Sequence, residues 1–359
     1  MNASSKPKVI VAMSGGVDSS VTAALLKEKG YQVIGINLRL WRISDDDSNA
    51  TADRIESTDS AQRVADILGI QFIEVGAREK FRKLVIKYFI DGYLSGMTPN
   101  PCVKCNRWLK WDILFQQAEQ FEAEYIATGH YARIQQMQGG TYELLRACDV
   151  RKDQSYVLCY LTQNLLSQTI LPLGEYCKDE IRDLARQFNL PVAERPDSQD
   201  LCFLEDMDYR TFLYRYAPEV VNPGVIKNRN GEIIGQHQGL ALYTIGQRKG
   251  IGIAAAEPLY VLEKDINRNT LIVGHADELG RTELLATNLN WISGQCPEEP
   301  IEIQVKIRYS SPSLHATLLM GKNNSAKIIF EKPLRDITPG QFAVFYDENV
   351  VLGGGEIVR

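Results

Sequence analysis

No stretch of this sequence approaches the ~18 consecutive apolar residues that a bilayer crossing needs. Met1 to Lys8 has neither the apolar centre of a signal peptide nor the Arg-rich composition of a transit peptide. A soluble, cytoplasmic chain with no membrane partner is therefore expected. Seven cysteines, an odd number in a chain without a secretory leader, argue against a disulfide framework and for thiols, catalysis or metal in a reducing compartment. An overall basic excess is also missing: the net charge is -5, which argues against a uniformly basic nucleic-acid-binding surface. There are no internal repeats. What remains is a globular chain of 359 residues, 44% hydrophobic, long enough for a sizeable core and for two or three domains.

The segment Ser14-Gly15-Gly16-Val17-Asp18-Ser19-Ser20 carries the strongest chemical signal. Lys8 to Met13 reads as a buried parallel strand, and Ser19 to Lys29 reads as a helix stopped by Gly30. At such a strand-to-helix turn, glycines let backbone N–H groups approach a phosphate, serine hydroxyls add donors and the helix N-terminus adds partial positive charge. The segment lacks the Gly-Lys-Ser/Thr of the common phosphate loop and the spacing of a dinucleotide fingerprint. It resembles the PP-loop of ATP pyrophosphatases, which implies cleavage of ATP to AMP and pyrophosphate with Asp18 helping to hold Mg²⁺. An ordinary Gly-Gly turn is the bland alternative.

Strand and helix patterns alternate up to about residue 200: Val33 to Leu38, Gln71 to Val75 and Tyr125 to Thr128 read as strands and Thr58 to Leu68 as a helix. This order predicts an α/β fold, a doubly wound parallel sheet over residues 1–207 with the phosphate loop at a strand's carboxyl end. Asp45-Asp46-Asp47 reads as an acidic surface loop. A Gly-rich stretch predicts a small β-rich central domain over 208–279. Short strands with turn signals over 280–359 predict a terminal β-barrel, with hairpin turns at Asn323-Asn324 and Pro339-Gly340.

Charge is uneven along the chain. Between Arg78 and Trp111, eight basic residues (Arg78, Lys80, Arg82, Lys83, Lys87, Lys104, Arg107, Lys110) face two acidic ones, Glu79 and Asp91. Tyr88, Phe89, Tyr93, Trp108 and Trp111 are interleaved with them, a mixture suited to gripping phosphates and unstacked bases. A solvated helix face over buried aromatics is the competing reading. The patch brackets Thr98-Pro-Asn-Pro-Cys102-Val-Lys-Cys105-Asn106, and Pro196-Asp-Ser-Gln-Asp-Leu-Cys202-Phe203 follows much later. Cys148, Cys159, Cys177 and Cys296 lack partner spacing and read as small core residues. His237, between glycines, reads as a turn residue.

Together with Thr128-Gly129-His130-Tyr131-Ala132, Lys152-Asp153-Gln154-Ser155-Tyr156, Tyr243-Thr-Ile-Gly-Gln-Arg-Lys-Gly250 and Arg308-Tyr309, these blocks make the chain resemble, nearly end to end, the bacterial tRNA-specific 2-thiouridylases of the MnmA type. That family replaces the C2 oxygen of wobble uridine 34 by sulfur in tRNAs for lysine, glutamate and glutamine. The resemblance implies an ATP site of Ala12, Met13, Ser14, Gly15, Gly16, Val17, Asp18, Ser19, Leu38 and Gly129, with Leu38 in place of the usual methionine. It implies Cys105 as nucleophile and Cys202 as persulfide carrier. It further implies tRNA contacts at His130, Lys152, Asp153, Gln154, Arg308, Tyr309 and Gln341, and contact of Asn100, Pro101 and Cys102 with the target base.

Two separated thiols suit this chemistry, because a carbonyl oxygen leaves poorly until it is converted into an ester of AMP. A persulfide held nearby can then supply sulfur. The second thiol resolves the persulfide as a disulfide, and the basic surroundings of Cys105 are expected to favour its thiolate. A cysteine desulfurase or sulfur relay protein is the expected partner. The chain departs from the family at Cys102, where many relatives have Asp. The resulting Cys102-x-x-Cys105 pair, with Cys202, opens an alternative in which three thiolates hold an iron–sulfur cluster that carries the sulfide. A PP-loop ligase acting on a small molecule and a non-catalytic RNA- or metal-binding protein are the rivals from other classes. The first needs no separated thiols, and the second needs no phosphate loop.

Overall fold

The computed structural model describes residues 6–43, 52–196, 201–205 and 207–358, with the side chains of 52–57 excepted. Asp45 to Asp47 and Asp197 to Asp200 lie outside the described residues. The first part of the chain runs β1 (Lys8–Ala12), α1 (Val17–Glu28), β2 (Gln32–Arg39), α2 (Ala52–Leu68), β3 (Gln71–Gly76), α3 (Arg78–Phe81), α4 (Lys87–Leu94), α5 (Pro101–Cys105) and α6 (Trp111–Gln120). It continues through β4 (Tyr125–Ala127), β5 (Ala132–Gln136), β6 (Tyr142–Arg146), α7 (Gln163–Ser167), β7 (Thr169–Ile170) and α8 (Lys178–Gln187). Among the described residues no helix is long and apolar enough to cross a membrane.

Five strands form a parallel sheet in the order β3-β2-β1-β4-β7. Covered on both faces, its central strands are apolar without alternation, and Val9, Ile10 and Val11 are completely buried. α1 ends as the sequence implies: Gly30 takes φ +90° and, with Lys29 and Tyr31, donates back to the last helical carbonyls. The strand order reverses between β1 and β4, so the crevice outside their carboxyl ends is the place where such sheets bind ligands.

α9 (Tyr209–Tyr216), capped by the Asp208 carboxylate, leads into a four-stranded sheet of β8 (Gly224–Lys227), β9 (Ile233–His237), β10 (Tyr260–Asp265) and β11 (Thr270–Gly274). Its order is β10-β11-β8-β9. The last part is a closed barrel of β12 (Arg281–Trp291), β13 (Ile301–Lys306), β14 (Leu314–Met320), β15 (Ser325–Leu334), β16 (Phe342–Asp347) and β17 (Val350–Ile357), shut by pairing of β12 with β17. Asn323 and Asn324, at φ 55° and 53°, turn the β14–β15 hairpin as expected.

Two features differ from the sequence reading. Pro339-Gly340 does not turn a hairpin, because β15 and β16 do not pair: β16 lies between β13 and β17. The turn instead crosses the barrel end and meets the first domain. The β5–β6 hairpin leaves the parallel sheet altogether and extends the barrel sheet, with Leu144 and Leu145 opposite Val351 and Val350. Nothing local to residues 132–146 reveals a partner strand two hundred residues away.

Barrel closure depends on absent side chains. A Cβ on Gly353 would stand 2.0 Å from the Asn290 carbonyl oxygen, and one on Gly355 would stand 2.4 Å from Leu289 Cδ2. Gly353→Ala is therefore expected to lower stability by about 1–3 kcal/mol, the usual cost of overpacking. The midpoint of urea unfolding would report this, and an unchanged midpoint would contradict the closure geometry.

Candidate active site

The phosphate loop follows β1, and Gly129 follows β4, so the two flank the crevice at the sheet's reversal. Gly15 takes φ +81°, and Gly16 is the N-cap of α1 with no side chain capping the helix. Backbone N–H groups there stay available to an anion. The serines act differently from expectation. Ser19 Oγ and Ser20 Oγ donate to the Gly16 carbonyl at 3.2 and 2.8 Å, and Ser14 N donates to Ser19 Oγ at 3.2 Å, so the hydroxyls tie the loop to itself. Ser14 is exposed at the loop's mouth. Gly129 must be glycine, since a Cβ would lie 2.9 Å from Ser19 N and 3.0 Å from the Asp18 carbonyl carbon. Ala12, Met13 and Val17 hold the loop's base. Met13 N donates to Ile36 O and the Met13 carbonyl accepts from buried Asn37. Leu38, half-buried, lies beyond the end of β1 at the carboxyl end of β2.

Asp18 is engaged by residues that sequence reading missed. Lys178 Nζ, in the first turn of α8, lies 2.7 and 2.9 Å from its two carboxylate oxygens, and Tyr131 Oη donates to it at 2.7 Å. Arg195 Nη1 donates to Gly15 O at 2.9 Å. Lys178 is 160 residues from its partner, a separation no local pattern announces.

The cysteine helix starts on a legible signal that the sequence reading passed over. Asn100 caps α5, its Oδ1 accepting from Cys102 N at 3.1 Å, and Pro101 occupies the first turn. After Cys105 the helix widens into a π turn over Asn106–Lys110 before continuing as α6. Residues five apart point to different sides of an α-helix, but i→i+5 bonding turns them toward one side. This brings Lys110 round to the cysteines.

Electrostatics there correct one expectation. Burial pushes the Cys105 thiol up to about 12, against a smaller lowering by Lys110, which favours the neutral thiol over the thiolate. Of the basic residues counted along the sequence, Lys110 alone is felt by this thiol. Cys102 is pushed up to about 11 by burial and by Cys202. Cys202 is an exposed residue whose thiol is also raised, burial again coming first, with Lys110 and Arg42 opposing. Burial alone would lower Lys110, but the three facing thiols raise it by more. Burial and the Lys110 charge together lower His130 to about 3, leaving a neutral imidazole whose Nδ1 lies 2.8 Å from Thr128 Oγ1. All seven cysteines are free thiols. Among the described residues no three His, Cys, Asp or Glu side chains come together as a metal-holding group. Cys102, Cys105 and Cys202, though all three face Lys110, are not assembled as such a group among the described residues.

Several other candidates turn inward. Asp153 is buried, accepting from Ala147 N, Ser155 N and Ser155 Oγ at 2.9–3.1 Å beside Arg146. Gln154 Oε1 accepts from Tyr131 N, and Gln341 Nε2 donates to Thr98 O at 2.7 Å. Lys152 is half-buried, and Tyr309 is 41% exposed with its ring edge against Tyr156. Arg308 donates to Thr338 Oγ1 and lies 3.9 Å from Asp336. The basic patch is partly neutralised by partners from outside its span: Lys80 and Arg107 pair with Asp112, and Lys104 pairs with Glu356. Phe89, Tyr93 and Trp111 are buried core residues; Tyr88 and Trp108 are half-buried. Of the four cysteines expected in the core only Cys159 is buried. Cys148, Cys177 and Cys296 are exposed, Cys177 because it caps α8. His237 is buried at the end of β9, its Nε2 3.1 Å from Asn269 O.

Residues 7–206 match the family described as tRNA methyl transferase HUP domain, residues 210–275 its PRC-barrel domain, and residues 281–357 the aminomethyltransferase beta-barrel domain. The tRNA-specific 2-thiouridylase MnmA of Natranaerobius thermophilus is 44% identical over 98% of this chain and 97% of its own. The protein of that name from Carboxydothermus hydrogenoformans is 44% identical over the whole of both chains. The one from Symbiobacterium thermophilum is 45% identical over 98% of this chain and 92% of its own. This chain belongs to the tRNA-specific 2-thiouridylase family. Within that family's fold, the HUP-type parallel sheet carries both the phosphate loop and the cysteine helix, and the barrel closes over the latter.

Because its thiol is held as neutral as this, Cys105 is expected to react with iodoacetamide at a rate that climbs about tenfold per pH unit and does not level off below about pH 11, following the thiolate fraction. Mass analysis of the labelled peptide measures it. A plateau near pH 8 would show an activated thiolate instead.

Proposed function

We propose that this chain is an ATP-dependent tRNA-uridine 2-sulfurtransferase acting on wobble uridine 34 of tRNAs for lysine, glutamate and glutamine. One observation carries the reading beyond family membership. Gly129 abuts Asp18 and Ser19 of the phosphate loop, and its neighbour His130 feels the charge of Lys110, the residue that faces the three thiols. An activating site and a sulfur site therefore share one crevice.

The chemistry follows from the parts. The loop's backbone N–H groups and the α1 N-terminus receive the phosphates while the C2 oxygen attacks the α-phosphorus, and pyrophosphate leaves. Lys178, already a buried cation at Asp18, is placed to meet phosphate charge. A single carboxylate is an ordinary protein share of a Mg²⁺ site beside a nucleotide, and Asp18 fits that share once Lys178 shifts. Mg²⁺ there would neutralise phosphate charge.

Sulfur arrives at Cys202, whose exposure suits loading by a cysteine desulfurase or relay protein. The terminal persulfide sulfur attacks C2 and AMP departs with the former carbonyl oxygen. Cys105, freed of its proton, attacks Cys202 Sγ, breaking the S–S bond and leaving sulfur on C2. The product is a Cys105–Cys202 disulfide, which an external thiol reduces. Release of sulfide before attack on C2 uses the same two residues and gives the same disulfide. Neutral His130, bonded to Thr128, contributes shape at the crevice wall rather than charge.

Cys105→Ser and Cys202→Ser are each expected to abolish 2-thiouridine formation on unmodified tRNA, read by nucleoside mass analysis, while both keep tRNA-dependent release of pyrophosphate. Normal product from either variant would sink the sulfur-transfer mechanism. AMP formation that ignores tRNA but responds to a small acceptor would favour a ligase.

A further inference from the structure

Cys105 lies in the second turn of a helix that begins at Pro101 and runs on through the π turn into α6. The terminal barrel holds the start of that helix at two places. Ahead of the helix, Thr98 N donates to Pro339 O at 2.8 Å, Asn100 N donates to Gly340 O at 3.1 Å, and Gln341 Nε2 donates to Thr98 O. Gly340, at φ +91°, fits so closely that a Cβ would stand 3.0 Å from Met97 Cβ. The same turn is bonded to the end of β17, Gly340 N to Ile357 O and Ile357 N to Gln341 O, both 2.8 Å.

One turn into the helix, the residue before Ile357 reaches the residue before Cys105. Glu356 Oε2 lies 3.3 Å from Lys104 Nζ, and Glu356 Oε1 accepts from Tyr88 Oη at 3.0 Å. The ammonium sits among three rings, 4.9 Å from the centroid of Trp108, 5.1 Å from Tyr88 and 5.9 Å from Phe342. The Glu356 side chain is only 11% exposed and that of Lys104 22%. Exposed interdomain ion pairs tolerate drift. A desolvated carboxylate with two partners does not, because either loss leaves a charge buried without compensation.

We propose that Glu356 is a positioning residue for Cys105: through Lys104 it fixes the first turns of the helix that presents the thiol, while the Pro339–Gln341 turn fixes the loop that enters it. The proposal rests on the sulfur-transfer function above, where no role falls to Glu356 or Lys104. Loss of the clamp loosens the first turns of this helix, so Cys105 becomes accessible and misaligned toward Cys202 while the tRNA-docking surfaces persist.

The test uses the full chain with Glu356→Ala, Glu356→Gln and Lys104→Met, the last keeping an apolar stem in the ring cage. In folded E356A and K104M, iodoacetamide labelling of Cys105 at pH 9 should quicken about tenfold, and kcat for 2-thiouridine formation should fall about 10- to 100-fold with KM for tRNA within about twofold, as expected for misplacement of a reacting group. E356Q, whose amide oxygen can still accept from Lys104 while its NH2 group donates to Tyr88 Oη, should recover part of both effects. If E356A fails to fold, K104M alone decides. Unchanged Cys105 labelling overturns the proposal. So does a raised KM with unchanged kcat, which would make the contact mere interdomain adhesion, or damage in E356Q equal to that in E356A. Labelling needs no turnover, so it remains readable if the wild type makes no 2-thiouridine, a result that would instead overturn the sulfur-transfer reading.

Discussion

The structure depends on keeping one thiol buried. Cys105 stands in the second turn of its helix, in the core cluster of Phe81, Val85, Phe89 and Leu109 that joins the first and central domains. That burial makes thiolate formation expensive, and Lys110, swung toward the sulfur by the π turn, offsets only part of this cost. Cys202 stays at an exposed position, and the terminal barrel braces the start of the helix. A thiol kept neutral and covered is protected from oxidation and from stray alkylation, since the thiolate is the reactive form.

Three cations around the site are placed singly against specific partners: Lys178 on Asp18, Arg195 on the loop carbonyl of Gly15, Lys104 on Glu356. The loop after β1 is held in shape by its own serines and by Lys178 on Asp18. On the proposed function, such a loop would present preorganised N–H groups to phosphate, stabilising a phosphoryl-transfer transition state without reorganising.

The barrel is more than an appended module. It takes two strands from the first domain, closes through glycines that let β17 lie against β12, and sends its β15–β16 crossover into the loop before Cys105. Whatever docks on the barrel is mechanically continuous with the cysteine helix. Read as neighbours along a string, these segments place Pro339-Gly340 in a hairpin, which the pairing of β16 with β13 and β17 overrides.

Legibility follows interaction range. Local rules sufficed for β1, the phosphate loop and α1, because apolar runs, glycines at positive φ and a Gly stop act within a few residues. They sufficed too for Asn323-Asn324, and would have sufficed for the Asn100–Pro101 helix start. Burial-dependent properties escaped them. Cys105 sits in a basic sequence yet its neutral thiol is favoured, because its immediate surroundings are apolar. Asp153 and three of the interleaved aromatics face inward, and Cys148, Cys177 and Cys296 face out. The sequence by itself determined the chemistry available, a phosphate loop and separated thiols, since these depend on residue type and short spacing. Only the tertiary structure decided which groups meet and in what protonation state, because the pairs Lys178–Asp18 and Lys104–Glu356 and the desolvation of Cys105 arise from contacts between segments more than a hundred residues apart and from the low dielectric of the packed interior.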